Sequence, residues 1–145
     1  MIKPYKGHFH TEWYPKLASS STSCWEMNDL TYLDANGYLI SAIDGADLNP
    51  IGLVQKVTTS TDSDYASATM VPVLVGDEDA EYLCDVTTGT AAQEDVGQWI
   101  DIDDENSVDV DASTYQLFFV TKVISATQVV AKMSKNDPRP ASIVD

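Results

Sequence analysis

Positive charge is scarce in this 145-residue sequence: eight lysines and arginines stand against 23 aspartates and glutamates, a formal net charge of -15. Phosphate backbones repel so acidic a body, because protein affinity for them comes mainly from lysine and arginine neutralisation; nucleic-acid binding is not expected. Cysteine is also rare. Cys24 and Cys84 fit neither a closely spaced zinc motif nor a disulfide-dense scaffold, and the burial preference of free cysteine favours two buried thiols over a bridge. Histidine is confined to His8 and His10. No apolar run approaches the roughly 18 residues of a membrane span, and the opening Met-Ile-Lys-Pro-Tyr-Lys-Gly-His lacks the apolar core of a secretory signal. The chain is expected to stay in the cytosol in which it is made until it meets its partner, with no membrane contact.

What is present points to β-structure. Hydrophobic residues make up 43% of the chain, enough for one domain with a core of its own. Ile100 and Ile102 alternate with Asp101 and Asp103, and Val108 and Val110 with Asp109 and Asp111, the two-residue period of half-buried strands. Tyr115-Gln-Leu-Phe-Phe-Val-Thr-Lys-Val reads as the central strand, covered on both faces because Phe118 and Val120 are apolar as well as Leu117 and Phe119. Asn36-Gly37 supplies a tight hairpin turn between two further strands. Asp44-Gly45-Ala46-Asp47 breaks the chain again. Residues 69–75 form a strand that Pro72 assigns to a sheet edge. The pattern predicts an all-β fold, a small barrel or sandwich of about eight short strands, with no amphipathic helix.

The ends differ from the middle. Residues 1–16 carry Lys3, Lys6 and Lys16 against Glu12 (+2), residues 132–145 carry three cations against two anions (+1), and residues 17–131 hold two lysines against 20 acidic residues (-18). Residues 1–23 show no period, contain Pro4, Gly7 and Pro15, crowd in Tyr5, Phe9, His10, Trp13 and Tyr14, and end in a serine-rich linker. They are expected to form an extended N-terminal arm, followed by a β domain at 24–134 and a proline-containing tail at 135–145. The rings either pack across the arm's own domain or dock on a partner, with partner-packing slightly favoured; each contributes roughly 1.5 to 3 kcal/mol when buried.

The acidic clusters do not spell a metal site. Asn106 stands where an EF-hand loop starting at Asp101 needs glycine, and no glutamate follows at its twelfth place. Only two histidines, with no thiol or carboxylate at helpful spacing, make zinc unexpected too. Residues 19–23 lack the Gly-x-Ser-x-Gly setting of a nucleophile elbow, and paired glycosidase carboxylates would have only Trp99 beside Asp101 as a platform. The residues therefore predict neither an enzyme nor a cofactor.

Asp34-Ala-Asn-Gly-Tyr-Leu-Ile, Pro50-Ile-Gly-Leu-Val, Tyr82-Leu-Cys-Asp-Val, Asp95-Val-Gly-Gln-Trp-Ile-Asp-Ile and Ser107-Val-Asp-Val together resemble the small β-rich capsid decoration (cement, or head-stabilising) proteins of tailed bacteriophages. The likeness covers about residues 25–133 and is one of sequence style. It implies a non-enzymatic virion protein, made in the host cytoplasm, that docks on the outer surface of the expanded capsid. There it would bridge major capsid protein subunits, often as a homotrimer. Members commonly dock through an N-terminal segment, which would assign Lys3, Tyr5, Lys6, Phe9, Trp13, Tyr14 and Lys16 to partner binding. The alternative is another virion part: a head-tail connector, or a tail or fibre module that contacts glycans.

Overall fold

A computed structural model describes residues 1–20, 23–42 and 50–133. The expected tail at 135–145 and the break at Asp44–Asp47 lie outside them. The fold is all-β, with eleven strands and no α-helix among the described residues. The strands are β1 (Ile2–Lys6), β2 (Phe9–Pro15), β3 (Leu30–Leu33), β4 (Leu39–Ser41), β5 (Gly52–Val54), β6 (Met70–Gly76), β7 (Glu81–Thr88), β8 (Trp99–Asp104), β9 (Ser107–Asp109), β10 (Phe118–Ser125) and β11 (Gln128–Met133).

Five of them close a barrel. The order β7-β11-β10-β8-β9 returns to β7 through a parallel pairing of Val86 with Val108. Strand β1 lies antiparallel along the first half of β7, on the edge that β9 takes further along. The other sheet has the order β2-β6-β5-β3-β4, antiparallel throughout. Alternation drives both assemblies: Ile100 and Ile102 of β8, and Tyr82, Cys84 and Val86 of β7, turn inward and are buried. The second sheet lays Leu30 and Leu53 into that same core, and Leu30 N donates across to Glu105 O at 2.6 Å. Its opposite face buries Val54, Val71, Val73 and Val75 beneath Trp25 and Leu39.

Three expectations change. Residues 1–16 are extended, but they are strands of both sheets of their own domain: β1 pairs with β7, and β2 runs in unbroken register with β6 from Phe9↔Gly76 to Pro15↔Met70. The bend between them needs Gly7, at φ +101°, where an added Cβ would stand 2.6 Å from Asp79 O. Strand β6 is consequently interior, not an edge. Pro72 is accommodated because β5 ends at Val54, opposite Val73, so the missing donor falls beyond that strand. Strand β10 is central, as expected, but covered on both faces only at its start: Phe118 points inward and Phe119 meets Trp99 edge-on at 5.2 Å, whereas Lys122, Ile124 and Ser125 are exposed.

Candidate docking surface

The seven residues expected to meet a partner divide into two groups. Lys3, Tyr5, Lys6 and Trp13 are exposed. Alternation along β1 sends Ile2 into the core and leaves Lys3 and Tyr5 outside, with Tyr5 46% exposed. Along β2, Phe9, Thr11, Trp13 and Pro15 share one face. Phe9 lies over the core and packs edge-on against Tyr82, centroids 5.4 Å apart. Trp13, four pairs further along, has run past the cover the barrel provides and is 57% exposed. Opposite it stands Pro72, and opposite Pro15 stands Met70, 51% exposed. Cross-strand partners share a face, so Trp13, Pro15, Met70 and Pro72 make one apolar surface. Met70 and Pro72 were absent from the sequence-based set because nothing local showed which strand lay beside them.

Phe9, Tyr14 and Lys16 are occupied by their own domain. Tyr14 packs against the outer cluster and donates its hydroxyl to Glu12 Oε1; burial first, then that hydrogen bond, push its phenol up to about 12. Lys16 departs furthest from expectation. It is 0% exposed, and among the described residues its ammonium meets no carboxylate: Nζ donates to Ser67 O at 2.6 Å, Tyr65 O at 3.0 Å and, marginally, Leu17 O at 3.5 Å. The lysine pins the 65–69 segment under the end of β2 and has no charge to offer a partner.

Both histidines are engaged at the β1–β2 bend. His8 Nδ1 lies 2.6 Å from Asp79 Oδ2, and His8 N donates to Asp79 Oδ1 at 3.3 Å. His10 Nε2 lies 2.6 Å from Glu12 Oε2, and its Nδ1 lies 3.4 Å from Asp77 Oδ1. The hydrogen bond and charge of Asp79 raise the pKa of His8, and the same contact lowers that of Asp79. Neither ring has a serine, threonine or cysteine partner among the described residues.

The acidic turns are used locally. Asp101 Oδ1 accepts from Tyr115 N and Gln116 N, Asp103 Oδ2 from the hydroxyls of Thr87 and Thr88, and Asp104 Oδ1 from Asn106 N and Ser107 Oγ. Among the described residues no three His, Cys, Asp or Glu side chains are placed to hold a metal ion. Both cysteines are free thiols; Cys84 is fully buried, which pushes its thiol up, and Cys24 is partly exposed. One open groove, of about 380 Å³, lies where Trp25, Asp29 and Thr58 approach Glu105. No sequence signal marked it, because Asp29 and Glu105 meet only through the junction of the two sheets. Compared with protein-family models, curated proteins and solved structures, the chain matches none.

Proposed function

We propose that this chain is a non-enzymatic structural virion protein that binds the outer surface of the expanded capsid of a tailed bacteriophage. It stabilises the capsid by bridging major capsid protein subunits, as a homotrimer. The bacteriophage assignment rests on the resemblance of the Asp34, Pro50, Tyr82, Asp95 and Ser107 segments. The structural observation that carries the docking reading is Trp13 of β2 at 57% exposure on the face it shares with Met70 of β6 at 51%; β1 exposes Lys3, Tyr5 and Lys6 as well. A large ring held rigid in a sheet and left bare is the usual anchor of a protein interface. Lys3 and Lys6, exposed on β1, lie on an otherwise acidic chain and suit acidic residues of a capsid subunit.

Co-sedimentation with expanded empty heads tests the reading. Deleting residues 1–16 would remove two strands and unfold the domain, so the informative variant is Trp13→Ala with Tyr5→Ala. Saturable binding by the native chain, reduced at least about tenfold in the variant at unchanged melting temperature, is the expected result. Equal occupancy by both forms would refute docking through this surface. A second reading, a tail, fibre or connector module, draws support from Trp13 being part of the folded sheet, as a glycan platform would be. Copy number per particle separates the two: hundreds for a head-covering protein, a few for a tail part.

A further inference from the structure

The outer edge of β2 carries an inference that does not depend on capsid docking through the exposed rings. Strand β2 is the last of its sheet, in the order β2-β6-β5-β3-β4. Its register with β6 is bounded by two main-chain bonds: His8 O accepts from Asp77 N at 2.9 Å, and Lys16 N donates to Thr69 O at 3.0 Å. Along an antiparallel ladder, residues bonded to one neighbour alternate with residues whose main chain turns to the other side. His10, Glu12 and Tyr14 therefore bond to β6, while Phe9, Thr11 and Trp13 turn their N–H and C=O groups outward. Among the described residues, that side meets another strand only beyond Trp13, in the bridge of Lys16 with Leu39. His10, Thr11 and Trp13 are exposed along it.

Edge strands ordinarily carry features that prevent pairing with another chain. Strand β1 has them. Met1 O accepts from Asp85 N, so alternation places Pro4, which lacks a donor, on the outward side; a bulge follows between Pro4 and Lys6, and Lys3 and Lys6 are exposed. From Phe9 to Tyr14, β2 has no proline, lysine or bulge. Its sequence also matches itself. An antiparallel copy bonded through the outward residues sets Phe9, Thr11 and Trp13 opposite one another, so the symmetric registers centre on residue 10, 11 or 12. Centring on Glu12 sets two carboxylates face to face, and centring on His10 sets two imidazoles so. Centring on Thr11 sets His10 opposite Glu12 on one face of the sheet and Phe9 opposite Trp13 on the other, both of them favourable cross-strand pairs. We propose that β2 pairs antiparallel with β2 of a second copy of this chain, about a twofold axis at Thr11, and so joins two five-stranded sheets into one. Phe9 exchanges main-chain hydrogen bonds with Trp13 of the partner subunit, and Thr11 with Thr11 of the partner subunit. The contact is compatible with a homotrimer, because it joins a protomer of one trimer to a protomer of the next.

The test uses the full ¹⁵N-labelled chain. The strand pair is short and a net charge of -15 opposes association, so a dissociation constant on the order of 100 µM is expected. Amide exchange with water is measured from about 20 µM to about 1 mM protein. The expected result is exchange about fourfold slower at the upper concentration for Phe9, Thr11 and Trp13, with His10 and Glu12 protected by β6 throughout. Thr11→Pro removes an outward donor and none that β6 receives; it should abolish the concentration dependence at Phe9 and Trp13 and leave the melting temperature within about 2 °C. Thr11→Cys, mildly oxidised, should give a dimer linked through position 11, which mass spectrometry of the linked peptide tells apart from links through Cys24; Lys6→Cys, exposed on β1, should not. Exchange that does not change with concentration overturns the proposal: slow throughout, the edge is covered by the chain itself; fast throughout, it takes no second copy. The native chain decides this even where the proline variant does not fold. Association of a folded Thr11→Pro chain equal to that of the native chain overturns it in favour of another surface. The proline variant keeps Trp13 and Tyr5, so loss of pairing is distinguishable from loss of capsid docking.

Discussion

Replacing Lys16 with methionine should destabilise the fold although no ion pair is lost. Methionine keeps an unbranched stem, so the packing of the buried chain is largely conserved and the ammonium is what disappears. Of its three acceptors, Tyr65 O retains a donor in Ser19 N at 2.8 Å, and Leu17 O at 3.5 Å contributes little. Ser67 O, at 2.6 Å from Nζ, loses a charged donor, whose hydrogen bond contributes roughly 1.5 to 3 kcal/mol. Relief of the buried charge offsets part of this. The net expectation is about 2 kcal/mol, or about 8 °C in melting temperature for a domain of this length. Lys3→Met, at an exposed position, is the control and should change stability by no more than about 0.5 kcal/mol. Thermal melts followed by circular dichroism read both. If the two variants melt alike, Lys16 is not held as described, and its ammonium returns to the set available for a partner.

Three further outcomes follow from the ionisable groups. His8→Gln should destabilise only in a window: Asp79 raises the pKa of His8 from 6.5 and is itself lowered from 3.8. The pair therefore contributes where imidazole is charged and carboxylate ionised, and its contribution fades as pH rises past 6.5 through the raised value or falls below 3.8; melts across pH show whether the two chains converge at alkaline pH. Asp29→Asn should do the reverse, matching the native chain below pH 3.8 and exceeding it by a margin that grows up to pH about 6 and then holds, because a carboxyl whose folded pKa is raised costs stability between its unfolded and folded values; equal pH profiles would refute the burial assigned to it. Under native conditions one thiol, Cys24, should react with a maleimide, and Cys84 only after denaturation, as mass spectrometry would count.

What could be read from the sequence was chemistry that acts over a few residues. The Asn36-Gly37 turn is present because Gly37 takes φ +85° and Asp34 Oδ1 accepts from Asn36 N and Tyr38 N, all within five positions. Ile100 and Ile102 turned inward as their alternation required. The N-terminal strands were illegible for the opposite reason: Pro4 and Gly7 break the local pattern, and the partners of β1 and β2 lie some 60 to 80 positions away in β7 and β6. Lys16 was read as a surface charge because nothing adjacent announces three carbonyls from Leu17, Tyr65 and Ser67. Pro72 pointed to an edge only while β2 was thought to be absent from the sheet. The groove failed for the same reason as the strands, since Asp29 and Glu105 are brought together by topology alone.

The self-packed N-terminus changes the energetics that a docking surface must satisfy. A free arm of sixteen residues gives up roughly 1 to 2 kcal/mol of conformational entropy per ordered residue on binding, more than four rings at roughly 1.5 to 3 kcal/mol each could offset. Here that ordering is already accomplished in folding, by seven register pairs between β2 and β6 and by β1 on β7. A partner meeting Trp13 and Tyr5 meets rings fixed by the sheets, so most of the apolar burial is available to binding. Phe9, Tyr14 and Lys16, spent on the domain, are what hold those rings in place. Fewer exposed aromatics on a rigid strand can therefore bind more tightly than twice as many on a free arm, which is why the Trp13 variant is expected to lose occupancy without losing the fold.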